Sequence, residues 1–137
     1  MLMGMDTRAL IEAYYAAFNR GDSATMLELL TDDVVHDINE GGREHGKEAF
    51  RAFLAKMDAH YRERAEDLTV LVGADGTRAA AEFTIHGEYL RTDAGLPEAQ
   101  GQTYVLPVGA FFEVRGGQIA RVTNYYNLTD WARQVGG

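Results

Sequence analysis

Residues Lys47 to Val72 read KEAFRAFLAKMDAHYRERAEDLTVLV, and the fold turns on how this stretch changes period. Phe50, Phe53, Leu54 and Met57 stand at i, i+3, i+4 and i+7, which puts four apolar side chains on one face of a helix. From Asp67 onward that spacing is lost. Leu68 to Val72 reads as a short strand, and apolar residues then recur every second position. The chain passes from helices to strands here.

Upstream, Leu10, Tyr14 and Phe18 recur every fourth residue with Ile11 and Tyr15 beside them, predicting a helix from Thr7 to Arg20. Asp6 or Thr7 caps its start and Gly21 ends it. Asp22 or Ser23 caps a short second helix carrying Met26, Leu27 and Leu30. Thr31-Asp32-Asp33 breaks that helix before a strand, Val34 to Ile38, and Asn39 to Gly46 is a polar loop. Downstream, Asp75-Gly76 signals a type I′ hairpin. Arg78 to Leu90 alternates, with Ala81, Phe83, Ile85, Gly87 and Tyr89 on one face and Glu82, Thr84, His86 and Glu88 on the other. Arg91 to Gly101 is a loop. Gln102 to Arg115 and Gln118 to Asn127 are strands joined at Gly116-Gly117, and Thr129 to Gln134 is a last helical turn bearing Trp131. Gly87, Pro107 and Gly109 inside long strands predict bulges or bends. Helices first and strands afterwards give one α+β domain spanning residues 1–137. The expected architecture is a cone-shaped, curved antiparallel sheet packed against three N-terminal helices and enclosing an apolar pocket.

Composition narrows the function. A net charge of −8 leaves no excess of Lys and Arg to neutralise phosphates, which argues against a nucleic-acid partner. With no cysteine in the chain, disulfides, thiolate nucleophiles and cysteine metal sites are excluded. The N-terminus is too poor in apolar residues for a signal peptide and no run reaches membrane length, so a cytoplasmic protein is expected. His36, Asp37, Glu40, Glu44 and His45 include metal-ligand types, but their spacing fits no recognised pattern, and neither a metal nor a cofactor is expected.

The runs Tyr14 to Asp22 (YYAAFNRGD), Leu30 to Asp37 (LTDDVVHD) and Gly46 to Phe53 (GKEAFRAF), with the terminal hairpin Val105 to Tyr126, make the chain resemble ketosteroid isomerases and the wider SnoaL-like family of the nuclear-transport-factor-2-like fold. The resemblance covers nearly the whole chain and rests on the order and spacing of motifs that are each loose. It implies a homodimer and a pocket for a small hydrophobic carbonyl compound. It also implies that Tyr14 holds an enolate oxygen, with Asp37 as the base, or Ile38 in that place if the missing residue lies after Asp37. The family's protonated acid falls on Gly109, and a supporting tyrosine falls on Leu54. Val122, Asn124 and Tyr126 are the pocket positions of the last strand, where Asn124 is a further donor to substrate oxygen. Phe53, Phe83, Ile85 and Phe111 complete the expected lining.

Asp37 in an apolar cup would have its carboxyl pKa raised by desolvation, which suits a general base. Its neighbour His36 points to the opposite face of the same strand. Loss of one oxyanion donor typically costs about 3 kcal/mol, so Gly109 and Leu54 weigh against steroid isomerisation itself. The expected function is cofactor-independent acid–base chemistry of isomerase or cyclase type. The alternative is a non-catalytic domain that binds a small molecule or dimerises. Epoxide hydrolysis ranks last, because its two carboxylates and bridging arginine have no evident pocket positions.

Overall fold

The computed structural model describes residues 6–39 and 41–136. Helix α1 (Thr7–Asn19) starts where the Asp6 carboxylate accepts the Ala9 N–H at 2.7 Å, and Gly21, at φ 72°, turns the chain out of it. Asp22 caps α2 (Ser23–Glu28) in the same way through the Thr25 N–H. Leu30, expected on that helix, instead opens strand β1 (Leu30–Asp37). It is fully buried opposite the equally buried Ile119, and this tertiary pairing outweighs its helical spacing. The polar loop holds a three-residue strand, β2 (Arg43–His45), followed by α3 (Lys47–His60).

Strand β3 (Tyr61–Val72) is twelve residues long and begins directly after α3, well before the expected Leu68. Its first half, Tyr61-Arg62-Glu63-Arg64-Ala65-Glu66, hides its alternation behind charge. Tyr61, Glu63 and Ala65 pair with Tyr89, Gly87 and Ile85, and Ala65 is buried while Arg62 and Arg64 face water. A register shift between Glu66 and Thr69, with Asp67 at φ 56°, separates the halves. Strands β4 (Arg78–Tyr89), β5 (Thr103–Arg115) and β6 (Gln118–Tyr125) follow, then α4 (Leu128–Gly136). Both Gly116 and Gly117 have positive φ, as a tight hairpin turn requires. At the β3–β4 turn only Gly76 does. The expected type I′ turn is therefore a wider loop in which the Asp75 carboxylate accepts the Thr77 N–H at 2.9 Å.

The sheet order is β2-β1-β6-β5-β4-β3, and the curved sheet stays unclosed. All pairs are antiparallel except β1 with β6, which is parallel, a departure from the wholly antiparallel expectation. The β4–β5 register runs unbroken through Gly87, Pro107 and Gly109. Irregularities lie instead at Leu30/Val35, Glu66/Thr69 and Glu113/Val114.

Helices α1 and α3 pack on the inner face. The Tyr15 ring lies 4.7 Å from Phe83, Tyr14 stands edge-on to Phe112 at 5.9 Å, and Phe53 meets His36 at 4.5 Å. At one end, Trp131 of α4 packs against Tyr61, Tyr89 and Tyr104. No helix among the described residues is long and apolar enough to cross a membrane.

Candidate active site inside the cone

Alternation along β1 decides which acid–base group faces the interior. Val34 and His36 are buried, whereas Asp37 is half-buried on the other side. There the Arg43 guanidinium donates to Asp37 from Nε at 2.5 Å and Nη2 at 3.0 Å, and the Thr123 hydroxyl donates at 2.7 Å. These bonds, Arg43 first, draw the Asp37 pKa down to about 2, against some opposing desolvation. Asp37 is therefore not the desolvated base expected. Ile38 lies just beyond the end of β1, is half-buried, and lines the same cleft as Asp37.

Two lining expectations on β5 are corrected for the same reason. Tyr104, Leu106, Val108, Ala110 and Phe112 are the buried set. Gly109 and Phe111 fall on the outer face, where Phe111 is 45% exposed and packs edge-on against Tyr125 at 5.8 Å. Phe111 also lines an outer cleft of about 400 Å³ with Leu71, Val72, Ala80 and Arg121.

Phe83, Ile85, Leu54 and Val122 are buried and Phe53 is partly buried against the core. Asn124 is half-buried and shares a cleft of about 320 Å³ with Asp37, Asn39, Arg43, Thr123 and Tyr125. The backbone N–H of Tyr126 donates to Asn39 Oδ1 at 3.0 Å. The structure does not gather these groups: Asp37 shares the outer face with Thr123, Asn124 is the next residue of β6 and stands opposite buried Ala110, and Tyr14 lies on the inner side of α1. The Tyr14 hydroxyl makes no hydrogen bond to a described residue, and burial holds its pKa above the ordinary phenol value, so it remains a neutral donor.

Two inward groups have no site role in the reading of the sequence, which leaves Glu63 unmentioned and sets His36 on the face opposite Asp37. The first is Glu63 on β3. The Tyr104 hydroxyl reaches across β4 to donate to Glu63 Oε2 at 2.5 Å. It can do so because Gly87 lies between them, and a Cβ built there would collide with the Tyr104 ring. Desolvation raises the Glu63 pKa, and the Tyr104 bond only partly opposes it. Tyr104 is likewise raised, by burial first and by Glu63 second, and stays protonated. Beside this pair the Tyr61 hydroxyl donates to Asp93 Oδ2 at 2.8 Å, and Lys56 Nζ stands 3.6 Å from Asp93 Oδ1. Tyr89 accepts the Asp93 N–H at 3.0 Å and donates to the Pro97 carbonyl at 2.6 Å, fixing the loop that borders the site. The second group is His36, between Phe50 and Phe53, opposite Glu44 of β2. Desolvation lowers its pKa, leaving a neutral imidazole. The signal for Glu63 lay in the pairs Tyr61/Glu63/Ala65 and Gly87/Tyr89, legible once β3 is extended back to Tyr61.

The family model of the SnoaL-like domain matches residues 11–122, and the chain belongs to the SnoaL-like family. Solved structures of three bacterial proteins, each named "putative polyketide cyclase", are similar to it over nearly their whole length. The protein from Pseudomonas putida KT2440 is 61% identical, covering 96% of this chain and 99% of that one, with a TM-score of 0.95. The protein from Xanthomonas campestris pv. campestris is 56% identical over 94% and 96%, with a TM-score of 0.92. The protein from Silicibacter sp. TM1040 is 49% identical over the whole of both chains, with a TM-score of 0.94. No match is found among curated proteins.

Proposed function

We propose that the chain catalyses cofactor-independent proton transfer beside a carbonyl, of isomerase or cyclase type, on a small hydrophobic carbonyl compound held within the cone. The observation that carries this reading is Glu63, an inward carboxyl raised by desolvation and held by the Tyr104 phenol. A carboxylate of raised pKa is a stronger base than an exposed one, and its conjugate acid can return the proton at neutral pH. Glu63 takes the proton α to the carbonyl while the C–H electron pair moves into the enolate. Tyr14 donates to the developing oxyanion. Return of that proton from Glu63 to the far carbon of a conjugated enolate completes an isomerisation; attack of the enolate carbon on a second carbonyl, whose oxygen then takes the proton back from Glu63, completes a cyclisation. The relatives named as polyketide cyclases support the reaction class.

The test is α-hydrogen exchange of tetralone in D2O, followed by proton NMR. The parent protein is expected to accelerate exchange, and Glu63→Gln to lose roughly 10²–10⁴-fold of that acceleration, whereas Asp37→Asn keeps it. Equal rates with parent and Glu63→Gln overturn the reading.

A second reading, ligand binding without turnover, is favoured by one observation: the family's acid place holds Gly109, which does not ionise, and its base place holds Ile38 or an Asp37 tied to Arg43. In either case we propose a homodimer through the outer sheet face, which exposes Leu71, Val105, Phe111 and Tyr125.

A further inference from the structure

Opposite each other on β1 and β2, two buried polar atoms have no hydrogen-bond partner: His36 Nδ1 and Glu44 Oε1, 3.8 Å apart. That separation exceeds a hydrogen bond; the Glu44 charge draws the imidazole pKa up, but desolvation outweighs it and holds the ring on the neutral side, so the carboxylate faces an uncharged ring. His36 is 2% exposed and held between Phe50 at 4.7 Å and Phe53 at 4.5 Å, so its ring cannot swing away to find water. Glu44 is different. Its side chain is 41% exposed overall while Oε1 is buried, so the carboxylate reaches in from an open side. Leaving such atoms unpaired is costly, and one chemical group satisfies both at once. A hydroxyl oxygen about 2.8 Å from each would accept from Nδ1–H and donate to the carboxylate. A ketone oxygen would satisfy only the imidazole, and an anion would be repelled by Glu44.

We infer that His36 and Glu44 form a hydroxyl-binding subsite in the wall of the cone, which makes the substrate a phenolic or alcoholic ketone. The subsite rests on its own geometry; only the word substrate rests on the reaction proposed above. Within that reaction the pair positions the ligand, and Glu63 moves the proton.

The experiment compares calorimetric affinities of the full chain for tetralone and for its phenolic hydroxy-tetralone isomers. At least one isomer is expected to bind about tenfold more tightly than tetralone, and that ratio to fall to near one in both His36→Phe and Glu44→Ala. If His36→Phe fails to fold, Glu44→Ala, on a three-residue strand with a half-exposed side chain, gives the same reading. A ratio near one for every isomer with the parent protein, as when water alone fills the gap, overturns the inference. So does a preference that survives in the folded variants, and so does a failure of all these ketones to bind. Exchange at the α-carbon without hydroxyl preference removes the subsite and keeps the reaction; hydroxyl preference without exchange does the reverse.

Discussion

Glu63 and Asp37 are both strand carboxylates, and their surroundings drive them in opposite directions. Asp37 has a folded pKa of about 2, below its unfolded value near 3.9. Its stabilising contribution is therefore present above pH ~4 and is lost as the pH falls toward 2. Asp37→Asn should lower stability at pH 7 by about 1 kcal/mol, the pair with Arg43 being partly exposed, and urea denaturation should show that deficit shrinking toward pH 2. A constant deficit would mean that charge has no part in it. Glu63 has the opposite sign, since its folded pKa is raised. Its contribution is greatest below the unfolded value of about 4.3 and is lost as the pH rises through the folded value. Glu63→Gln should therefore melt higher than the parent at pH 7, with the gain vanishing near pH 4, even as exchange activity is lost. A lower melting temperature at pH 7 would place Glu63 among purely structural groups.

Strands β3 and β4 supply what positions this site, and the hinge of the arrangement is a missing side chain. Gly87→Ala should force the Tyr104 ring off Glu63 and cost about 1–3 kcal/mol through overpacking. Gly109→Ala is the control. No heavy atom lies within 4 Å of a Cβ built there and its φ is ordinary, so thermal melts should show a change below about 1 kcal/mol. Similar losses in both variants would contradict the packing account. These two glycines also mark how far the sequence was legible. Both were read as bends, because a strand glycine signals either curvature or close approach and the sequence alone does not separate them. Helices α1 and α3 were plain from apolar spacing, and β4 from its alternation. The first half of β3 was not, because Arg62, Glu63, Arg64 and Glu66 look like a solvated run until a partner strand reveals which of them turn inward. On β1 and β5 a slip of one residue in register moved Asp37, Gly109 and Phe111 to the wrong face, which is what a period of two makes of any such slip.

For the molecule as a whole, the proposed chemistry belongs to the inner side of the sheet and the exposed apolar residues to its outer side. Leu71, Val105, Phe111 and Tyr125 lie on the outer side of the sheet, so sedimentation equilibrium should return twice the 15.1 kDa of one chain, whereas a mass near that of a single chain would contradict the dimer. The architecture was readable because helix and strand periods are local properties. The proposed acid–base group was not, because the setting of Glu63 depends on Gly87 and Tyr104, which reach it from two further strands. The most direct check on a desolvated carboxyl inside the cone is a carbon-13 NMR titration of the Glu63 side chain in the folded protein. The expected midpoint lies above the ordinary glutamate value of about 4.3, with Asp37 titrating near 2 in the same spectra. A Glu63 midpoint at or below 4.3 would show that water reaches the group freely and that the interior does not hold the base.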